Sequence, residues 1–333
     1  MISVVIERWQ RFSPGVGVAA VIALAASFLA NRYGAPAMLL GLLLGMAFNF
    51  LAETPKLLPG IDFSATQILR LGVALLGLRL TMDDLTALGW GPIVMVFTAV
   101  IATMLVGVLL ARVLNVDSKV GILTGGAVGI CGASAAMAIS SALPQGPETK
   151  RQTLFTVIGV TALSTIAMVL YPVIGGLLQF SDAEMGLFIG ATIHDVAQVV
   201  GAGYSVSTEA GDLGTFVKLL RVAMLVPIVL VVGIVIRSGA QRTFKKGISA
   251  PVPWFLVMFV LLFVLNSAGY ISSTVARPLA DSASLLLLLA IAALGIRTSL
   301  KEVMTIGFRP VILLLGETLF LAAVVVAYLM WLT

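Results

Sequence analysis

Residues 121–144 read GILTGGAVGICGASAAMAISSALP. The run is long enough to cross a bilayer and carries no charge, yet it holds Gly121, Gly125, Gly126, Gly129 and Gly132, followed by Ser134, Ser140 and Ser141. A helix that only anchors a protein in lipid is richer in Leu, Ile and Phe, since glycine weakens a helix interior by roughly 1 kcal/mol relative to alanine. Irregular backbone at membrane depth persists only where protein or a water-filled cavity surrounds it. The stretch therefore predicts a discontinuous helix lining a polar site near the membrane middle. The alternative is close helix packing, because Gly125 and Gly129 form a GxxxG pair.

The surrounding chain fits a polytopic membrane protein. Of 333 residues, 60% are hydrophobic and 11% charged, with a mean hydropathy of +1.12, which excludes an ordinary soluble domain. The net charge of +5 is dispersed and bears on orientation rather than on nucleic acid. A single cysteine, Cys131, and a single histidine, His194, exclude an intramolecular disulfide and Cys- or His-rich metal sites. No cofactor is expected.

Apolar segments fall near 16–30, 35–52, 64–80, 91–111, 120–143, 152–178, 186–206, 215–236, 253–270, 283–298 and 310–332. The fold class read from them is all-α, with about eleven transmembrane segments in one integral membrane domain over 1–333. The first segment resembles a secretory signal but is followed by ten more. A cytoplasmic N-terminus places the loops bearing Arg112/Lys119 and Arg237/Arg242/Lys245/Lys246 inside. Lys150 and Arg151 then lie outside, unless 120–143 and 186–206 are re-entrant hairpins, and both topologies stay open.

An internal repeat organises the chain. VALLGLRLTMDDLTALGWGP (73–92) aligns without gaps on IAALGIRTSLKEVMTIGFRP (291–310), matching Gly77 with Gly295, Arg79 with Arg297 and Pro92 with Pro310. The odd number of crossings between the copies makes them inverted, a construction typical of secondary transporters with broken helices. Residues 121–144 and 186–206 are the expected broken core elements.

The 186–206 segment, GLFIGATIHDVAQVVGAGYSV, places His194, Asp195 and Gln198 within an apolar run. Ionisable groups inside a membrane are costly and are functional candidates, although a buried polar tie between helices is the alternative. Imidazole titrates near neutral pH, so His194 with Asp195 is a candidate proton-coupling pair. Lys218 and Arg221 lie three apart on one face of the next segment. They either snorkel to the interface or bind a small anion, because a guanidinium fork, an ammonium and helix N-termini all suit oxyanions. Glu317, inside the last segment, is a third proton-coupling candidate or a partner for a basic group. Arg79 and Arg297, with Asp83, Asp84, Lys301 and Glu302 nearby, read as helix-end ion pairs. Nucleotide-loop and HExxH motifs are absent. Cys131 or Ser134 with His194 leaves an intramembrane hydrolase as the rival class.

Three motifs, GGAVGICGASAAMAI, GATIHDVAQVVGAG and VKLLRVAMLVP, with ALLGLRL and ALGIRTSL, resemble the YeiH family of bacterial inner-membrane proteins, which is associated with sulfate export. The resemblance spans nearly the whole chain. It implies a fold related to bile-acid symporters and cation/proton antiporters, with a panel domain and a core domain of crossing, discontinuous helices. It also implies that Cys131, Gly132, Ser134, His194, Asp195, Gln198, Lys218 and Arg221 occupy the family's motif positions, whereas Glu317 is not carried over.

The sequence thus points to a non-enzymatic, proton-coupled secondary transporter exporting a small sulfur oxyanion from the bacterial cytoplasm across the inner membrane. Gly129, Cys131, Gly132, Ser134, Gln198, Lys218 and Arg221 are its expected substrate-binding residues, and His194, Asp195 and Glu317 its proton-coupling residues. The partners are a small inorganic or sulfonate anion and the lipid bilayer, with a homodimer as an option and no nucleic acid. A sodium-coupled organic anion or sulfonate carrier is the second reading, with Asp195, Glu317 and backbone carbonyls as an oxygen cage.

Overall fold

The computed structural model describes residues 2–33, 35–83, 86, 89–144, 146–238, 253–298 and 308–332. Among them the regular structure is helical throughout. The helices are α1 (Ile2–Tyr33), α2 (Ala37–Ala47), α3 (Leu58–Phe63), α4 (Leu69–Leu75) and α5 (Gly91–Val113). Next come α6 (Ser118–Gly129), α7 (Ala133–Ala142), α8 (Pro147–Leu177), α9 (Asp182–Thr192) and α10 (Val196–Val206). The last five are α11 (Thr208–Ala223), α12 (Leu225–Ser238), α13 (Trp254–Ser267), α14 (Ser273–Arg297) and α15 (Phe308–Leu332).

Among the described residues seven stretches are long and apolar enough to cross a membrane: Gln10–Tyr33, Leu58–Leu78, Gly91–Val113, Pro147–Leu177, Thr208–Ile234, Thr274–Arg297 and Val311–Trp331. Shorter apolar helices, among them α2, α7, α10 and α13, accompany them. Asp84, Arg242, Lys245, Lys246, Lys301 and Glu302, with residues 299–307 of the second repeat copy, lie outside the described residues.

The chain divides into two compact units. The first comprises Met1–Gly89, Val200–Asp212 and Pro253–Ser299. Here glycine lets backbones meet: a Cβ on Gly60 would come 2.7 Å from the Gly15 Cα, and one on Gly45 would come 2.9 Å from the Gly295 Cα. Two asparagines close helix ends reciprocally. Asn49 Nδ2 donates to Ile296 O at 2.7 Å, and Asn266 Nδ2 donates to Leu78 O at 3.0 Å. The repeat arginines are both paired with carboxylates. Arg79 lies 3.4 Å from Asp212 and donates to Ser284 Oγ at 2.6 Å and Ala280 O at 3.1 Å. Arg297 pairs with Asp62.

The second unit comprises Trp90–Val199, Leu213–Val252 and Leu300–Thr333. Its α5 and α6 form a tight pair, because Gly107, Gly121 and Gly125 present no side chain to the facing backbone; a Cβ on Gly125 would meet Met104 Cα at 3.0 Å. The packing reading of Gly125 therefore holds at that residue, and the chain breaks a few residues later. Helix α9 starts with a capping box, Ser181 with Glu184, which fixes where it enters.

Candidate functional site

Two interruptions in the second unit build the site. Helix α6 stops at Gly129, and α7 begins at Ala133 after Gly132, whose φ of 63° and ψ of −123° are comfortable only for glycine. Helix α9 stops at Thr192, the chain extends through Ile193 (φ −64°, ψ 139°), and α10 begins at Val196. At about 1.5 Å per residue, α6 and α9 are roughly 16–18 Å long. Neither alone crosses a hydrocarbon core of about 30 Å. Each interruption leaves carbonyls at a helix C-terminus and N–H groups at the following N-terminus without intrahelical partners.

Lys218 and Arg221 satisfy the carbonyls. Both side chains are buried, at 0% and 1% exposure, so neither snorkels. Lys218 Nζ donates to Ile130 O and Ile193 O, each at 2.8 Å. Arg221 Nε donates to Gly129 O at 2.8 Å, and its Nη2 to Val128 O at 2.7 Å. Its Nη1 donates to Gly190 O at 3.1 Å and Ile193 O at 2.9 Å. The i, i+3 spacing on α11 thus brings both cations to both interruptions. These bonds occupy four of the five guanidinium N–H donors and two of the three ammonium donors.

The two N-terminal ends are treated differently. At α10, Asp195 caps the helix: Ala197 N–H donates to its Oδ1 at 2.9 Å, while the Asp195 N–H donates to Ser164 Oγ at 3.1 Å. At α7, Gly132 offers no side-chain cap. Ser134 turns its hydroxyl back to Cys131 O and Sγ, each 3.2 Å away, although the residue is exposed. The interruptions touch: a Cβ on Gly132 would lie 3.5 Å from His194 O. His194 is fully buried, with Nε2 3.0 Å from Thr318 Oγ1.

The structure thus joins Gly129, Lys218 and Arg221 by direct hydrogen bonds, places Gly132 against His194, and ties Ser134 to Cys131. Gln198 is buried beside the second break, its Oε1 without a hydrogen-bond partner among the described residues. Glu317 lies elsewhere, with Oε1 2.7 Å from Thr124 Oγ1. Sequence reasoning missed the carbonyl acceptors, which have no residue signature, and the hydroxyls of Ser164, Thr124 and Thr318. Only Thr318 had a sequence cue, its position next to Glu317.

The sequence model of one protein family, described as "Conserved hypothetical protein 698", matches residues 14–314. UPF0324 membrane protein CT0845 of Chlorobaculum tepidum is 46% identical over 98% of this chain and 91% of its own length. A UPF0324 membrane protein of Rhizobium meliloti, RB0971, is 47% identical over 95% and 92%. UPF0324 membrane protein TauZ of Paracoccus denitrificans is 48% identical over 94% and 93%.

Proposed function

Starting from the fact that this chain belongs to the conserved hypothetical protein 698 family, the UPF0324 membrane proteins, which is also the YeiH family its motifs resemble, we propose that it is a secondary transporter of a small oxyanion, driven by protons. As a multi-pass bacterial membrane protein it has a bilayer to move solute across. The observation that carries the reading is the pair of fully buried cations on the carbonyls of two interrupted helices. Each half-helix end carries about half a unit charge, negative at C-termini and positive at N-termini, so two of each cancel. The two charges of Lys218 and Arg221 then outweigh the one of Asp195, leaving about one net positive charge in low dielectric. An anion is the guest that such a site favours. The uncapped N–H groups at the start of α7, beside Ser134, are the open donors nearest the break.

Sulfate and sulfite fit these donors, since each presents several oxygens. Sodium coupling through the interruptions is disfavoured, because Lys218 and Arg221 already occupy carbonyls that a hard cation needs. Hydrolysis through Cys131 or Ser134 is disfavoured as well: among the described residues His194 engages Thr318 rather than either of them, so that candidate base is not hydrogen-bonded to its nucleophile.

Support for an inverted repeat comes from the first unit. Leu78 and Ile296 are equivalent positions of the aligned copies, and the asparagines that bond to them are 217 residues apart against a repeat offset of 218. On this reading the repeat reaches back to the turn after α2 and to α13, in the pseudo-two-fold construction that alternating access uses.

Thermal unfolding of the purified protein with sulfate, sulfite, thiosulfate, taurine or bicarbonate tests the anion site, because a ligand stabilises the state it binds. At least one of the sulfur oxyanions should raise the melting temperature at constant ionic strength, and replacing potassium by sodium should not. Equal melting in every anion would overturn the site.

A further inference from the structure

We infer that Glu317, on α15 against α6, is the carrier of the coupling proton; the inference rests on the proton-driven reading above. Glu317 is fully buried in the second unit, and its Oε2 has no hydrogen-bond partner among the described residues. A bare carboxylate oxygen at that depth is costly, whereas a carboxylic acid is tolerated.

Thr124 supplies the second observation. Its Oγ1 lies 2.7 Å from Glu317 Oε1 and 2.9 Å from Val120 O, but a hydroxyl has a single hydrogen. With Glu317 protonated on Oε1, the acid donates to Thr124, and Thr124 keeps its hydrogen on Val120 O. Both short contacts are then hydrogen bonds. When the proton leaves, Thr124 must turn its hydrogen to Oε1 and release Val120 O. Proton loss therefore changes a bond within α6, the half-helix whose end is held by Arg221. The carboxyl is seated against bare backbone, since a Cβ on Gly107 would come 2.6 Å from Oε1.

Thr318 faces the other break. Its Oγ1 lies 2.7 Å from Leu314 O and 3.0 Å from His194 Nε2. Consecutive residues of α15 thus touch α6 and the link between α9 and α10. Toward this pair α5 presents Gly107, α6 presents Thr124, α8 presents Gly159 beside Leu314, and the α9–α10 link presents His194. Among the groups named, His194 is the titratable one, and it meets Thr318 rather than Glu317.

The test uses the full chain in proteoliposomes with radiolabelled sulfate, comparing accumulation driven by an imposed proton gradient with sulfate-for-sulfate exchange. Wild type should accumulate sulfate. Glu317→Gln, which fixes the neutral form, should lose the response to the gradient, so that the ratio of driven flux to exchange falls to that seen without a gradient. An unchanged ratio overturns the inference, and so does loss of both fluxes in a variant that melts like wild type. Infrared spectroscopy reads the carboxyl independently of transport. At neutral pH the wild type should show a carboxylic-acid C=O band that is absent in Glu317→Gln and shifted in Thr124→Val. If wild type exchanges no sulfate, the choice of anion fails while the band still decides the state of Glu317. Should Glu317→Gln not fold, the Thr124→Val shift carries the decision, and an absent or unshifted band overturns the inference.

Discussion

The two units handle the positive charge carried by their helices in opposite ways. In the first, Arg79 and Arg297 are equivalent residues of the repeat, and each is met by a carboxylate, Asp212 or Asp62. Those charges cancel locally, and their work is to hold helix ends. In the second, Lys218 and Arg221 are met by six hydrogen bonds to backbone carbonyls among the described residues. A carbonyl satisfies a donor without cancelling its charge, so the second arrangement leaves a field and the first does not. An arginine in an apolar helix is therefore informative only once its acceptors are known.

The largest effect should come from Arg221→Gln. It removes four charge-assisted bonds, each worth about 1.5–3 kcal/mol, and leaves the ends of α6 and α9 with buried bare carbonyls. Flux should vanish, and stability should fall by roughly 3–5 kcal/mol, the cost of stripping one partner from a buried charge contact. Thermal melting and sulfate flux check both. Lys218→Gln should follow with a smaller loss, since it removes two bonds and leaves the guanidinium clamp in place. If Arg221→Gln melted like Arg297→Gln, the contrast between the units would collapse.

Next in size are the glycines that let the site's helices approach. A Cβ on Gly190 would meet the Gly214 backbone and Val217, with Val217 Cβ at 2.8 Å and Gly214 Cα at 3.0 Å. Gly190→Ala should therefore cost about 1–3 kcal/mol through overpacking and displace the carbonyl that Arg221 holds. Gly132→Ala acts differently: its surroundings leave room, at 3.5 Å, but its positive φ does not suit a side chain. A cost of about 1–3 kcal/mol is expected there from backbone strain. Melting temperature reads both, and Gly190→Ala should also weaken sulfate-induced stabilisation more than Gly132→Ala does.

How far the sequence reached follows from the same physics. Glycine enrichment in 121–144 identified a helix that would not remain continuous, because glycine density is a property of the chain itself. The depth of Lys218 and Arg221 in an apolar segment left snorkelling open, and the structure buries both. Their acceptors were not legible, because a carbonyl is common to every residue and only the fold selects Ile130 and Ile193. In this conformation four donors of the Arg221 guanidinium hold backbone carbonyls, so an anion gripped by the fork would have to exchange with some of them. The repeat was visible at 73–92 and 291–310, whereas the carbonyls that Asn49 and Asn266 reach, on which the proposed extension rests, were visible only in the structure. Lone threonines such as Thr124 carry almost no sequence signal, because most of them bond only to their own helix.

The smallest effects sharpen the comparison inside the first unit. Asn49→Ala removes one part-buried hydrogen bond, and Asn266→Ala removes the one to Leu78 O with a longer one to Leu80 O at 3.4 Å; at about 1 kcal/mol for a good bond, the two should destabilise to a similar extent if they are equivalent. Arg79→Gln and Arg297→Gln should differ even though the residues align. Arg79 and Asp212 are 15% and 18% exposed, and Arg79 also holds Ser284 and Ala280 O. Arg297 and Asp62 are 44% and 46% exposed, so solvent screens that pair and its loss should cost about 0–1 kcal/mol. Raising salt should erase the Arg297→Gln effect on melting while leaving most of the Arg79→Gln effect. Equal salt sensitivity would mean that the repeat conserves the charge for one shared purpose, whereas unequal sensitivity would mean that two copies of one motif have been put to different depths of use.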